Sequence, residues 1–402
     1  MIAMEPRSWQ RRLGLERGAG ALAAGLFVYG FGEELWFRYL PAFLRTLGAS
    51  AFLVGAFGTF KDLLDAGYAY PGGVLSDRLG SRRALLLFGA LTVGGFVLYL
   101  AAPSIPVLFA GLALVMAWQS LGLPATFALL REELSGGGRL VGFTVQSVVK
   151  RLPIVLAPPL GGYLIGRYGM AGGMRRGFAL SILLSVLMLA GLWRSFRASP
   201  REIPAPGVPR SKVRLHPVLV RLLIADCLIR LCEGLPEVFL VVWALEIARI
   251  SPARFGLLMS VLMITAILSY APAAFLAGRA EKKPFVVLTY VFFTLFPLGV
   301  VCAHSFAALA GAYVLGGLRE IGEPARKALI VDLALTDPGR TVGLYYSIRG
   351  FAVAGAAAIG GALWTVRPSL TFFVAAALGA AGTLWAALAL PSRPPRLQED
   401  TP

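Results

Sequence analysis

The sequence predicts an all-α integral membrane protein, with twelve transmembrane helices in two pseudo-symmetric six-helix bundles. Three observations lead there. The 402 residues are 57% hydrophobic and 15% charged, with mean hydropathy +0.74, which is too apolar for a single soluble core of that length. Apolar windows of about 20 residues, the length that crosses a bilayer core of about 30 Å, recur along the chain. The second half also repeats the first in weak register, at an offset of about 200 positions.

Span 1, at 18–44, is too long and too late to be a cleaved signal peptide. The preceding "RSWQRRLGLERG" mixes Trp9 with Arg7, Arg11, Arg12 and Arg17, and is expected to lie on a negatively charged cytoplasmic membrane surface. Span 2, at 51–75, runs into "GGVLSDRLGSRR" (72–83), a compact charged loop before span 3 at 84–103. Spans 4, 5 and 6 fall at 107–132, 139–166 and 177–195. A stretch rich in proline and basic residues, 196–217, reads as a cytoplasmic linker, so the expected domains are 1–195, the linker, and 218–402. The second half supplies spans at 218–246, 252–278, 284–303, 306–335, 340–366 and 369–390. Ten or fourteen spans are the alternatives to twelve.

A net charge of +17 raises the question of nucleic acid, but the basic residues alternate between loops and do not share one face. Arg78, Arg82, Arg83, Arg139, Arg279, Lys282, Lys283, Arg340 and the basic linker fall on one side, and far fewer on the other. The positive-inside rule then places both termini in the cytoplasm, with the cluster Arg167, Arg175 and Arg176 as the exception. Cys227, Cys232 and Cys302 show no CxxC spacing, and His216 and His304 are isolated, so no disulfide framework, metal site or cofactor is expected.

Within the repeat, "GLPATFALLREELSGGGRLVGF" answers "GEPARKALIVDLALTDPGRTVGL", and "PPLGGYL" answers "AAIGGAL", setting Gly161 and Gly162 opposite Gly360 and Gly361. Glu33 falls opposite Glu233 and Arg78 opposite Arg279, whereas Asp77 faces Gly278. The basic residues are needed in both loops for orientation; whatever Asp77 does is needed once.

These features resemble the major facilitator superfamily of secondary transporters. The family's loop reads Gly-x-Leu-x-Asp-Arg-x-Gly-Arg-Arg/Lys, and here Gly73, Leu75, Asp77, Arg78 and Gly80 match, followed by Arg82 and Arg83. The resemblance implies two six-helix bundles around a central cavity, rocking between inward- and outward-facing states, with this loop as a cytoplasmic latch. An exporter motif, Gly-x-x-x-Gly-Pro-x-x-Gly-Gly, is met in "PIVLAPPLGG" by Pro158, Gly161 and Gly162, while Pro153 and Ala157 replace its first two glycines. A third motif, Arg-x-x-Gln-Gly, is missing, with Trp118 and Leu121 in the arginine and glutamine positions.

Buried charge is read from the residues themselves. An ionisable side chain at mid-membrane costs roughly 2.5–3.5 kcal/mol on insertion scales, so it has to face water or a partner. Spans 3, 6, 9 and 12 carry none in their apolar cores and are assigned to lipid. Spans 1, 2, 5, 7, 10 and 11 carry, in turn, Glu33, Glu34 and Arg38; Lys61, Asp62 and Asp65; Lys150 and Arg151; Asp226, Arg230, Glu233 and Glu237; Arg319, Glu320 and Glu323; and Arg349, and are assigned to a polar cavity. Asp226, Arg230, Glu233 and Glu237 share one helical face. Glu34 with Arg38, Lys61 with Asp65, and Arg319 with Glu323 are spaced to pair within a helix. Tyr29, Trp36, Tyr68, Tyr70, Trp118, Gln119, Gln146, Trp243, Tyr345 and Tyr346 can add aromatic or hydrogen-bonding walls.

The expected function is proton-coupled export of a small polar, zwitterionic or amphipathic solute, with uptake symport as the alternative. Glu33 or Glu34 is the first choice for the coupling carboxylate and Glu233 or Glu323 the second, because burial in an apolar wall lets a carboxyl group trade a proton. The expected partners are the solute, protons and the bilayer, with no nucleic acid, and a monomer is the expected state. No catalytic constellation of an integral-membrane enzyme is present in the sequence. A non-transporting sensor on the same fold is the third reading.

Overall fold

The computed structural model describes residues 17–122, 126, 138–195, 215–277, 281–333 and 338–391, with side chains described except at 17–22, 69, 138–150, 195, 270–271, 273–277 and 338–339. Among the described residues every regular element is helical. The helices are α1 (Arg17–Glu34), α2 (Leu40–Thr46), α3 (Ala51–Leu79), α4 (Ser81–Ala101), α5 (Ile105–Met116), α6 (Gly138–Ser195), α7 (Pro217–Glu237) and α8 (Phe239–Val242). They continue with α9 (Pro252–Ala277), α10 (Lys282–Cys302), α11 (Phe306–Leu318), α12 (Glu323–Asp332), α13 (Pro338–Val353), α14 (Ala356–Val366) and α15 (Pro368–Ala389).

The elements follow the expected spans closely, with informative differences. Six helical stretches are long and apolar enough to cross a membrane by length and composition, and they lie in α4, α6, α9, α10, α13–α14 and α15. Of the other spans, 1, 2, 7 and 10 carry charges, and span 4 runs on past Gly122 into residues outside those described. Span 1 breaks after Glu34 into a tight turn at Phe37–Tyr39 before α2. Span 10 breaks between Leu318 and Glu323, and Pro324 opens α12, where a proline's missing N–H costs nothing. Spans 5 and 6 form one run, α6, interrupted at Gly169, whose φ of 74° suits a residue without a side chain.

The charged loop of the sequence is instead almost wholly helical. α3 continues to Leu79, α4 begins at Ser81, and the connection is the single residue Gly80 at φ 81°. Nothing in the alternation of apolar and charged residues marks that extension, because its outer turns are exposed and polar.

The chain forms two compact units. The first holds Met1–Ser50, Phe60–Pro209 and Ala244–Ser260, and the second holds Ala51–Thr59, Arg210–Trp243 and Val261–Pro402. Each unit therefore takes one short helical segment from the other half of the sequence. In the first, α1 lies along α6, and Trp36 is fully buried among Phe96, Tyr99 and Phe178, its indole N–H donating to Ser181 Oγ at 2.9 Å. In the second, α15 packs on α7 and α10 around a core that includes Leu219, Leu222, Ile229, Tyr290 and Tyr345.

The internal repeat is visible in how glycines admit backbones. A side-chain carbon on Gly161 would stand 1.8 Å from the Leu35 carbonyl oxygen, and one on Gly360 would stand 2.1 Å from that of Leu235. Likewise one on Gly162 would meet Pro252 O at 2.3 Å, and one on Gly361 would meet Ala51 O at 2.7 Å. The same contacts occur in both units between positions about 200 apart. These distances leave room for a hydrogen atom only.

Candidate functional site

In the first unit a cavity of about 320 Å³ opens beside α1, lined by Tyr29, Glu33, Glu34, Trp118, Gln119 and Pro153 among others. Residues Ala117–Leu121 form a π-helical turn at the end of α5, a wider coil that places Trp118 and Gln119 on the cavity. Glu33 is 2% exposed, and its Oε2 accepts a short hydrogen bond from Gln119 Nε2. Its other oxygen, Oε1, and the hydroxyl of Tyr29 one helical turn earlier lie close enough to interact, but neither makes a well-formed hydrogen bond among the described residues. A buried polar atom left short of a good hydrogen bond costs about 1–3 kcal/mol, so a visiting donor at Oε1 would be favoured. Glu34 differs from its neighbour, because Arg38 grips both its oxygens at 2.8 and 3.2 Å, the expected pair.

Lys61 lies 3.2 Å from Asp62, and the expected Lys61 to Asp65 pair gives way to a hydrogen bond from Ser120 Oγ to Asp65 at 2.6 Å. The cause is local: the π turn brings Ser120 to Asp65, which is itself exposed. Arg151 is half-buried, and the side chain of Lys150, like Gln146, lies outside the described residues. Trp36 and Trp243 prove to be packing residues, while Tyr70 is exposed.

The second unit contains a continuous charge network built on α7, α10, α12 and α13. Asp226, 1% exposed, accepts from Tyr290 at 2.5 Å, Arg326 at 2.5 Å, Tyr345 at 2.7 Å and Arg349 at 3.5 Å. Arg326 also forks onto both oxygens of Glu323 at 2.7 and 2.8 Å. Glu323 stands at the start of α12, where a helix favours negative charge. Arg230 links Glu233 at 2.5 Å to Glu323 at 3.2 Å, and Arg319 reaches Glu233 at 3.4 Å while donating to Gly316 O. The expected Arg319 to Glu323 pair is thus replaced by cross-pairing, because the break after α11 separates the two residues. Glu237 is exposed and Glu320 half-buried.

Sequence reasoning missed Arg326 and Tyr290. Arg326 stands three residues after Glu323, a spacing that could have revealed it. Tyr290 offers no such signal, because it sits in a span without charge.

Among the motif residues, Asp77, Arg78 and Arg83 are exposed and Gly73 is half-buried. Arg82 donates to Trp193 O at 2.5 Å and its guanidinium lies 5.2 Å from that indole ring, which ties α4 to the end of α6. Pro158, Gly161 and Gly162 form a packing seam, where the Tyr39 hydroxyl donates to Pro158 O at 2.6 Å and lies 3.0 Å from Pro252 O.

Comparison with known proteins agrees with this architecture. The family model of the Major Facilitator Superfamily matches residues 22–246 and 222–402. The sugar efflux transporter A of Escherichia coli (strain K12) is 28% identical over 304 residues, covering 70% of this chain and 73% of that protein. An uncharacterized MFS-type transporter of Methanocaldococcus jannaschii is 22% identical, covering 88% and 89% of the two chains. Among solved structures, a POT family transporter in complex with a thioalcohol-conjugated peptide superimposes with TM-score 0.75 at 15% identity, covering 93% of this chain and 95% of that one. The human organic anion transporter TETRAN gives 0.63 at 16% identity, covering 92% and 99%. The chain belongs to the Major Facilitator Superfamily and is a multi-pass membrane transporter, as its relatives are.

Proposed function

We propose that this transporter exports a small polar, zwitterionic or amphipathic solute across the cytoplasmic membrane in exchange for protons, by alternating access. The observation that carries the reading is the cavity beside α1, where Glu33 is buried with one oxygen short of a well-formed hydrogen bond. Such a carboxylate can hold a proton or meet a donor group of the solute, and each occupant excludes the other. Glu34 is engaged by Arg38, and Glu233 and Glu323 by arginines, so Glu33 ranks first for coupling. Export is supported by the name of the Escherichia coli relative and by Pro158, Gly161 and Gly162.

In this reading the halves 1–195 and 218–402 are the moving bodies, the linker 196–217 and both termini are cytoplasmic, and the protein works as a monomer. Gly73, Asp77, Arg78, Gly80, Arg82 and Arg83 serve the cytoplasmic latch. The test uses proteoliposomes loaded with a pH dye and exposed to a panel of sugars, amino acids and organic anions. The expected result is solute-driven proton movement in the wild type, and its loss in Glu33→Gln with an unchanged melting temperature. Solute and protons moving in the same direction would show uptake symport. Unchanged proton-linked flux in both Glu33→Gln and Glu34→Gln would overturn the coupling assignment.

A further inference from the structure

The charge network of the second unit is unequal in one respect. Three of its four arginines spend their guanidinium groups on close partners: Arg326 on Asp226 and on both oxygens of Glu323, Arg230 on Glu233 and Glu323, and Arg319 on Glu233 and Gly316 O. Arg349 has one contact of this kind among the described residues, 3.5 Å from Asp226 Oδ2. That oxygen already accepts from Arg326 at 2.5 Å and Tyr345 at 2.7 Å, so the contact is the longest of three at one atom. A guanidinium carries five N–H donors in a rigid fork, and most of those on Arg349 are left for another group.

Arg349 is not sealed off. Its side chain keeps 18% exposure, whereas Asp226 and Arg326 keep 2% and 3%. The Tyr346 ring lies 4.6 Å from its guanidinium carbon, a platform that holds the fork in place. Arg230 and Arg326 lie near enough to repel it, and the carboxylate oxygen it touches already accepts two shorter hydrogen bonds. The carboxylates bonded into this cluster are each held by at least one arginine, which leaves no acid there for a cationic group of a solute. What the geometry lacks is a further oxyanion.

We propose that Arg349 docks the anionic end of the transported solute, a carboxylate or phosphate group that binds two-pronged to the open edge of its guanidinium. This rests on the transporter reading above and narrows its solute class to acids and zwitterions. Bidentate recognition of such groups is what distinguishes arginine from lysine.

The test is equilibrium binding to the purified full-length protein in detergent, with no gradient, so that it stands apart from transport. Melting temperature is followed in sodium succinate, sodium phosphate, sorbitol and choline chloride, the salts at matched ionic strength. The expected result is stabilisation of the wild type by succinate, phosphate or both, but not by sorbitol or choline chloride. Arg349→Gln should weaken the apparent affinity at least tenfold, while Arg175→Gln, a change at an exposed position remote from the cluster in sequence, should leave it unaltered. A carboxylate solute is indicated if succinate alone acts, and a phosphorylated one if phosphate alone acts. Full anion stabilisation in Arg349→Gln, or an equal effect of choline chloride, would overturn the proposal. Should Arg349→Gln fail to fold, Arg349→Lys carries the test, and wild-type affinity in that variant would overturn it. Flux without anion binding refutes this site and spares the transporter reading; anion binding without flux does the reverse.

Discussion

Among single residues, Arg326 shows how context decides what a charge is worth. It is 2% exposed and holds Asp226 and Glu323 together, so its removal takes the shortest cationic contact from one buried carboxylate and the two-pronged contact from another. Breaking a buried pair from one side costs about 3–5 kcal/mol. Arg326→Ala should lose stability on that scale, read as a large drop in the detergent melting temperature, whereas Lys327→Ala, at a 55% exposed side chain, should change it little. The sequence made the acids of this network legible, because carboxylates in apolar spans stand out. Their partners were less so: the spacing rule paired Arg319 with Glu323, and only the break after α11 reassigns Arg319 to Glu233 and gives Glu323 to Arg326. A single tyrosine such as Tyr290 carries no mark of its role until Asp226 is seen beside it.

For whole elements, the sequence was legible where apolar length sets the boundary, as in α4, α10 and α15, and less so where polar residues extend a helix past the apolar run. α3 is the clearest case, continuing through Asp77 and Arg78 to the turn at Gly80. Helix packing was legible through the repeat, which had already set Gly161 opposite Gly360. Because a methyl group at Gly161 would stand 1.8 Å from the Leu35 carbonyl oxygen, α6 and the turn that follows α1 would have to separate to admit it. Gly161→Ala is expected to destabilise by about 1–3 kcal/mol, the range for overpacked cores. Gly166→Ala, five residues on with nothing within 4 Å, should be neutral or mildly stabilising. Chemical denaturation of the two variants side by side checks the contrast; equal stability would show that the seam yields easily.

At the level of the whole molecule, the charge pattern predicts orientation. Lys282 and Lys283 begin α10 on the side assigned to the cytoplasm, so Cys302 at its other end should face outward. Cys302 is exposed, Cys232 is buried and Cys227 is intermediate, which provides a native reporter. A membrane-impermeant maleimide added to intact cells should label Cys302 rapidly and Cys232 negligibly; labelling of Cys302 only after the cells are opened would invert the topology. The partner of Glu33 also has an energetic consequence at this scale. Gln119 is a neutral amide that does not titrate, so a proton gained or lost by Glu33 is not matched by an opposite change on that neighbour. A proton carried on Glu33 against a neutral solute would thus move a whole charge through the membrane's electric field, where each 100 mV is worth about 2.3 kcal/mol. A carrier built this way draws on the voltage as well as on the acidity difference, and keeps concentrating its cargo when the two sides have equal pH.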